Sequence, residues 1–327
     1  PGELALVAIE PPVPAPDQLL VETKAATICT SDLHDLRFNP FNVPLPVVIG
    51  HEAAGVVVGM GEQVRGFAIG DRIAAHPVHP CGACSACRSG MAHLCRNLSH
   101  FGQDMPGAMA EQFVVRQDRA RKLPDSVTFE AGALAEPVCV CLEALNRASL
   151  RPDDALLIIG DGPFGVLMAK LAQARNLSLI AIAGRHEARL ARATGAAQVR
   201  LERGADPFLL LSKIKPDGFD AVIHTVGGAE MVNVGLKLLK PRGRLVIFDP
   251  MPVETPVDLF TLLANELEIR GAVNDDDLFD DAIAALTDPN LGIGDLVTHE
   301  FALDDYETAF DLAANGHNEA MKVAFRF

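Results

Sequence analysis

Apolar and polar side chains partly alternate through residues 18–26, QLLVETKAA, which is the period of a half-buried strand. The same short-strand pattern returns at 53–59 (AAGVVVG), 71–75 (DRIAA) and 108–115 (AMAEQFVV), punctuated by glycine and preceded by a proline-rich connector from Pro11 to Pro16. The first ~130 residues therefore predict a β-rich domain.

From Thr128 the period changes. TFEAGALAEPVCVCLEALNRA predicts helix, interrupted at Glu136-Pro137, because proline cannot continue the preceding hydrogen-bond ladder but fits a new first turn. Apolar runs then alternate with helical segments: ALLIIG, a helix from Pro163 to Ala174, SLIAIAG, a helix around Glu187 to Thr194, FDAVIHTVG, a helix to Lys240, and GRLVIFD. That alternation predicts a doubly wound α/β unit, a parallel sheet with crossover helices. Beyond Gly271 the pattern is mixed, with a helix near Tyr306 to Ala314 and a last strand, MKVAFRF, expected to rejoin the first domain.

Composition narrows the class. With 327 residues, 49% of them hydrophobic, the chain supports two cores. A net charge of −15 argues against a nucleic-acid partner, whose binding rests on Lys and Arg neutralising phosphates. No apolar run approaches the roughly 20 residues of a bilayer span, and the opening PGELALVAIEPPVPAPDQ has neither a basic n-region nor an h-region. A cytoplasmic protein without a membrane partner is the expectation.

In that compartment seven cysteines read as metal ligands or free thiols rather than disulfides. Cys81-x2-Cys84-x2-Cys87-x7-Cys95 has the ligand count and spacing of a closed, structural four-thiolate zinc site. A redox pair needs only two thiols, and the scarcity of basic neighbours disfavours a nucleic-acid-binding zinc ribbon. Cys139 and Cys141, in an apolar segment, read as small buried hydrophobes. The stretch from Cys29 to Glu52, CTSDLHDLRFNPFNVPLPVVIGHE, gathers a thiol, imidazoles and carboxylates that suit Zn²⁺. A zinc held by three protein ligands keeps one position for chemistry, so this is a candidate catalytic site.

Gly160-Asp161-Gly162-Pro163-Phe164-Gly165 fits G-x-G-x-x-G. It follows the strand ALLII and opens a helix, the context in which these glycines let a pyrophosphate approach the helix N-terminus. An acidic residue about 20 positions on would bind the ribose 2′-OH of NAD. None occurs from Val166 through His186; the strand ends Ala183-Gly184-Arg185-His186, with Arg189 one turn on. A small residue followed by arginine leaves room and charge for a 2′-phosphate, which predicts NADP over NAD. Arg185 and Arg189 as solvated surface charges are the plainer alternative.

Together these motifs resemble the zinc-dependent medium-chain alcohol and polyol dehydrogenases, the family that includes sorbitol and threonine dehydrogenases. The resemblance spans nearly the whole chain: Cys29-Thr30-Ser31-Asp32-Leu33-His34, Gly50-His51-Glu52 through Gly55 to Gly70-Asp71-Arg72, the four-cysteine lobe, Gly107 to Glu111, Lys122-Leu123-Pro124, Ala135-Glu136-Pro137 and the glycine turn. It implies a GroES-like catalytic domain made from residues 1–138 and 274–327, and a Rossmann domain over 139–273. It implies that Cys29 and His51 bind the catalytic zinc with Glu52 and Glu136 nearby, giving two zincs per chain. Ser31 would take the alcohol proton and pass it through the cofactor ribose to His34, and Asp32 would orient the ligating histidine. Ser31 and Asp32 equally suit the cap of a helix starting near Leu33. His76, His79, His93 and His100 receive no role, although His100-Phe101 is a candidate wall of the substrate pocket.

The chain departs from the family in carrying Cys29-Thr30 for the more usual Cys-Gly. Its opening strand is largely missing before Pro1, an expectation that the sequence begins inside a longer chain. The expected activity is hydride transfer between NADP and a secondary alcohol such as a polyol, sugar-derived alcohol or amino alcohol, in a homodimer or homotetramer with the chemistry in the cleft between domains. The competing readings are a zinc-free quinone or enoyl reductase, disfavoured by Cys29, His51 and Glu136, and a non-catalytic zinc and nucleotide binding sensor or subunit.

Overall fold

The computed structural model describes residues 2–39, 42–226, 228–248, 254–316 and 320–327. Pro1, Gly227 and Asp249, at the ends of predicted segments, lie outside the described residues, as do Pro40 and Phe41. The chain divides into two compact units, Pro1–Cys139 with Asn274–Phe327, and Val140–Val273. The strands before residue 130 are β1 (Gln18–Thr27), β2 (Glu52–Met60), β3 (Arg72–Ala75), β4 (Val78–His79), β5 (Ser99–His100), β6 (Gln112–Arg116) and β7 (Ala120–Lys122). Those of the middle are β8 (Ala155–Ile159), β9 (Leu179–Gly184), β10 (Ala197–Arg200), β11 (Phe219–His224), β12 (Leu239–Ile247) and β13 (Glu268–Gly271). β14 (Val297–Ala302) and β15 (Lys322–Arg326) close the chain.

In the first unit the sheet runs β14-β15-β1-β2-β3-β7, and β6 also pairs with β1. Side chains of β1 alternate between half-buried and buried until its last residues, which are all buried. Leu19, Val21, Val57, Ile73, Phe113, Val115 and Phe325 fill the core on its inner face. The register is what positions chemistry: Thr27 at the end of β1 faces Glu52 at the start of β2 on one side and Ala324 of β15 on the other. Cys29 and His51 thus leave two neighbouring strands at the same edge.

The helix after β1 runs Thr30–Phe38, starting ahead of the predicted Leu33. Cys29 is its N-cap, and the Asp32 carboxylate accepts the Cys29 N–H at 2.9 Å, satisfying a donor the helix leaves free. The predicted break at Glu136-Pro137 falls instead at Leu134, between helices Phe129–Ala133 and Ala135–Arg147. Pro137 sits in the first turn of the second helix, where its missing N–H interrupts nothing.

The second unit is a parallel sheet in the order β10-β9-β8-β11-β12-β13. Read in chain order this is 3-2-1-4-5-6, the doubly wound arrangement of dinucleotide-binding folds. β8 and β11 are buried along their whole length, which is why they read as continuous apolar runs. The edge strands β10 (AQVR) and β13 (EIRG) carry too few apolar residues to show a period and are largely exposed. The predicted helix from Glu187 to Thr194 ends at Leu190, and Pro163 to Ala174 ends at Ala172 before a 3-10 turn. Among the described residues no helix is long and apolar enough to cross a membrane.

Candidate active site

One ligand atom each of Cys29, His51 and Glu52 lies within 4.8 Å of the others, and all three residues are buried. The His51 ring is held from behind by Asp32, whose Oδ1 lies 3.3 Å from Nδ1. That fixes the ring and leaves Nε2 toward the cluster, where the Ser31 hydroxyl lies 3.4 Å away. Asp32 therefore caps the helix and contacts the imidazole at once. His34, three residues past Ser31 on the same helix face, is exposed.

Electrostatics bind the group together. Burial opposes charge on His51, but Asp32 and Cys29 outweigh it and hold the imidazole well above its ordinary pKa. Burial likewise opposes the Asp32 carboxylate, and His51 with the Cys29 N–H brings it down. Glu52, fully buried, accepts hydrogen bonds from Thr27 Oγ1 and from the ammonium of Lys322, itself 3% exposed. Burial works against the charge on Lys322, but Glu52 and Cys29 raise its pKa further. Lys322 was missed in the sequence; its signal is a lysine at the head of the otherwise apolar strand MKVAFRF.

Glu136 is not in the Cys29, His51 and Glu52 group. It is buried at the start of helix Ala135–Arg147, and burial raises its carboxyl to about 7. Its Oε2 has no hydrogen-bond partner among the described residues. An orphaned buried carboxylate oxygen beside a thiol–imidazole–carboxylate set is what a divalent cation, directly or through water, would satisfy. The donor set thus fits zinc.

The cysteine lobe fits it as well. The sulfurs of Cys81, Cys84, Cys87 and Cys95 lie within 4.8 Å of one another, with Cys84 Sγ 3.5 Å from Cys87 and 3.8 Å from Cys95. A zinc tetrahedron with Zn–S near 2.3 Å has edges of about 3.8 Å. Cys95 Sγ accepts backbone N–H groups of Cys81 and Asn97, both at 3.3 Å, and the N–H groups of Cys87 and Arg96 bring Cys84 down to about 6. The Cys84 donors favour its thiolate, while burial and the neighbouring thiols push Cys87 up to about 11.

The remaining histidines separate. His76 Nδ1 accepts the Val78 N–H at 3.2 Å, so Nε2 carries the proton it donates to Asp275 at 2.5 Å; Cys139 completes this buried group. The His100 ring meets His51 edge-on at 5.3 Å between centroids and donates from Nδ1 to Phe101 O at 2.7 Å. Burial, with His51 alongside, lowers it to about 3, so the ring is neutral. Phe101 itself is no pocket wall: at 1% exposure it packs between His79 and Phe113, because an apolar ring gains more in the core.

In the second unit the glycine turn joins β8 to helix Pro163–Ala172, with Gly162 as N-cap and Pro163 at the first position. A Cβ on Gly165 would lie 1.9 Å from Gly160 O, so only glycine lets helix and turn approach this closely. A Cβ on Gly162 would meet nothing within 4 Å, leaving space in front of the helix N–H groups for a pyrophosphate. Phe164 packs edge-on against Phe248 at 5.2 Å. Gly184 is buried at the end of β9; Arg185 is exposed and Arg189 half-buried. Asp161, inside the glycine turn, is a further candidate that no spacing rule marks. Its carboxylate reaches the end of β9 and accepts the His186 N–H at 2.5 Å.

Residues 15–125 match the alcohol dehydrogenase GroES-like domain and residues 163–288 the zinc-binding dehydrogenase domain. The chain is 30% identical to an L-threonine 3-dehydrogenase of Deinococcus radiodurans over 97% of this chain and 94% of that one. A zinc-binding dehydrogenase-like structure from Sinorhizobium meliloti 1021 bound to NADP is similar with TM-score 0.88 at 28% identity, covering 98% of this chain and 94% of the other. The alcohol dehydrogenase rspB of Escherichia coli CFT073, complexed with NADH, is similar with TM-score 0.93 at 26% identity, covering 100% and 97%.

Proposed function

Since the chain belongs to the medium-chain zinc alcohol dehydrogenase family, with its GroES-like and Rossmann units, we propose that it transfers a hydride between a nicotinamide dinucleotide and a secondary alcohol or ketone. The observation that carries this is the buried meeting of Cys29, His51 and Glu52, with Asp32 behind the imidazole and Ser31 at its Nε2. The substrate class is an alcohol with polar neighbours, a polyol, sugar-derived alcohol or amino alcohol. The threonine dehydrogenases that this chain resembles support that class.

Cys29 and His51 hold the catalytic zinc, with Glu52 and Glu136 as the carboxylates beside it, and the four cysteines hold a second, structural zinc. When bound, the catalytic metal supplies Lewis acidity, which lowers the pKa of an alcohol hydroxyl and polarises a carbonyl. Asp32 keeps Nδ1–H of His51 engaged, so Nε2 is free as a ligand. Ser31 Oγ accepts the proton of the alcohol and passes it toward His34, which exchanges it with water at the exposed face.

Ser31→Ala tests the relay. Turnover is expected to fall by about 10²-fold or more, the usual worth of a positioned acid–base group, with zinc content unchanged. Unchanged turnover would remove Ser31 from the mechanism.

A further inference from the structure

Gly184 ends β9 at the point where a dinucleotide-binding sheet carries its ribose-binding carboxylate, and the sequence from Val166 to His186 holds no acid. A carboxylate nevertheless stands at that point, from another part of the chain. A Cβ built on Gly184 would fall 2.3 Å from both Cβ and Cγ of Asp161 and 2.5 Å from its Oδ2. The Asp161 side chain thus fills the volume that a side chain at 184 would occupy. The Gly184 backbone does not itself forbid one, since it lies in a strand and outside the left-handed region.

Asp161 is fixed in this place. Its Oδ2 accepts the His186 N–H at 2.5 Å, and His186 Nδ1 lies 3.1 Å from Oδ2 and 3.3 Å from Oδ1. A carboxylate offers about four acceptor positions, so His186 leaves capacity for a hydroxyl. A 2′-phosphate, by contrast, would bring close to two negative charges against a third that is almost fully buried. Arg185 is exposed to solvent, where its attraction for such a group is screened.

Resting on the dinucleotide-binding reading of this unit, we propose that Asp161 is the specificity-determining carboxylate for the adenosine ribose, taking the place of the missing acid at the end of β9. NAD(H) is then the preferred cofactor, the reverse of the preference that the missing acid suggested. The glycine at 184 and the aspartate inside the glycine turn are one exchange: the carboxylate has moved in sequence and kept its place in space.

Calorimetric titration of the purified protein with NAD⁺ and with NADP⁺ tests this without any turnover. NAD⁺ is expected to bind at least about tenfold tighter, the worth of a hydrogen bond to a charged group. Asp161→Asn, which keeps the shape and removes the charge, is expected to erase most of that ratio. Asp161→Gly combined with Gly184→Asp, which removes the clash and returns the carboxylate to the strand end, is expected to restore it. Tighter binding of NADP⁺ by the native chain, or a ratio unmoved by Asp161→Asn, would overturn the proposal alone. Binding of neither dinucleotide would overturn the reading beneath it as well.

Discussion

His51→Ala is expected to lower turnover by about a thousandfold and, with one zinc proposed at each of the two donor sets, to reduce the metal content from two per chain to one. The ring is one of three ligand groups gathered at the end of β1 and the start of β2, and its loss leaves a thiol and a carboxylate that hold zinc poorly. Lewis-acid stabilisation of developing charge amounts to several kcal/mol, and each 1.36 kcal/mol is tenfold in rate, which gives about 10³. The cysteine lobe has its own sulfurs and backbone donors, so a zinc held there is expected to stay. Metal analysis beside initial rates reads both quantities. Loss of both zincs together would show that the sites are not independent.

Lys322→Met is expected to destabilise the protein by about 3–5 kcal/mol, the range for removing one partner of a buried ion pair. Glu52 is wholly buried and Lys322 nearly so, and water cannot replace the ammonium. Methionine matches the aliphatic stem, so the loss reports charge rather than packing. The midpoint of urea unfolding measures it. A change under about 1 kcal/mol would mean that Thr27 alone satisfies Glu52.

His51 and Lys322 differ in how far the sequence reveals them. Cys29 and His51 lie more than twenty positions apart, yet their spacing from Ser31, Asp32 and the Gly-His-Glu motif marks them, because a strand end and a strand start must carry those residues in that order. Lys322 is some 270 residues from Glu52 along the chain. Only the pairing of β15 with β1 makes them neighbours, and no local pattern encodes that pairing.

The same distinction runs through the fold. β8, β9 and β11 are buried strands whose apolar runs survive in any reading, and the parallel sheet with its glycine turn was legible from them. β10 and β13 were not, since an exposed edge strand has no face to bury. Asp161 was in plain view inside the glycine turn, but a rule that looks for an acid about 20 residues downstream does not look there. The close approach of β8 and β9, which are hydrogen-bonded neighbours, is what carries a side chain from one strand end to the other.

Zinc-assisted hydride transfer on this chain is read most directly from turnover itself. Formation of reduced nicotinamide is to be followed by its absorbance over a panel of polyols, aldonates, amino alcohols including L-threonine, and simple secondary alcohols, before and after zinc is removed and restored. Turnover is expected on at least one hydroxylated substrate, with loss on zinc removal and recovery on its return. Zinc and dinucleotide binding with no turnover across the panel, or turnover indifferent to zinc, would contradict it.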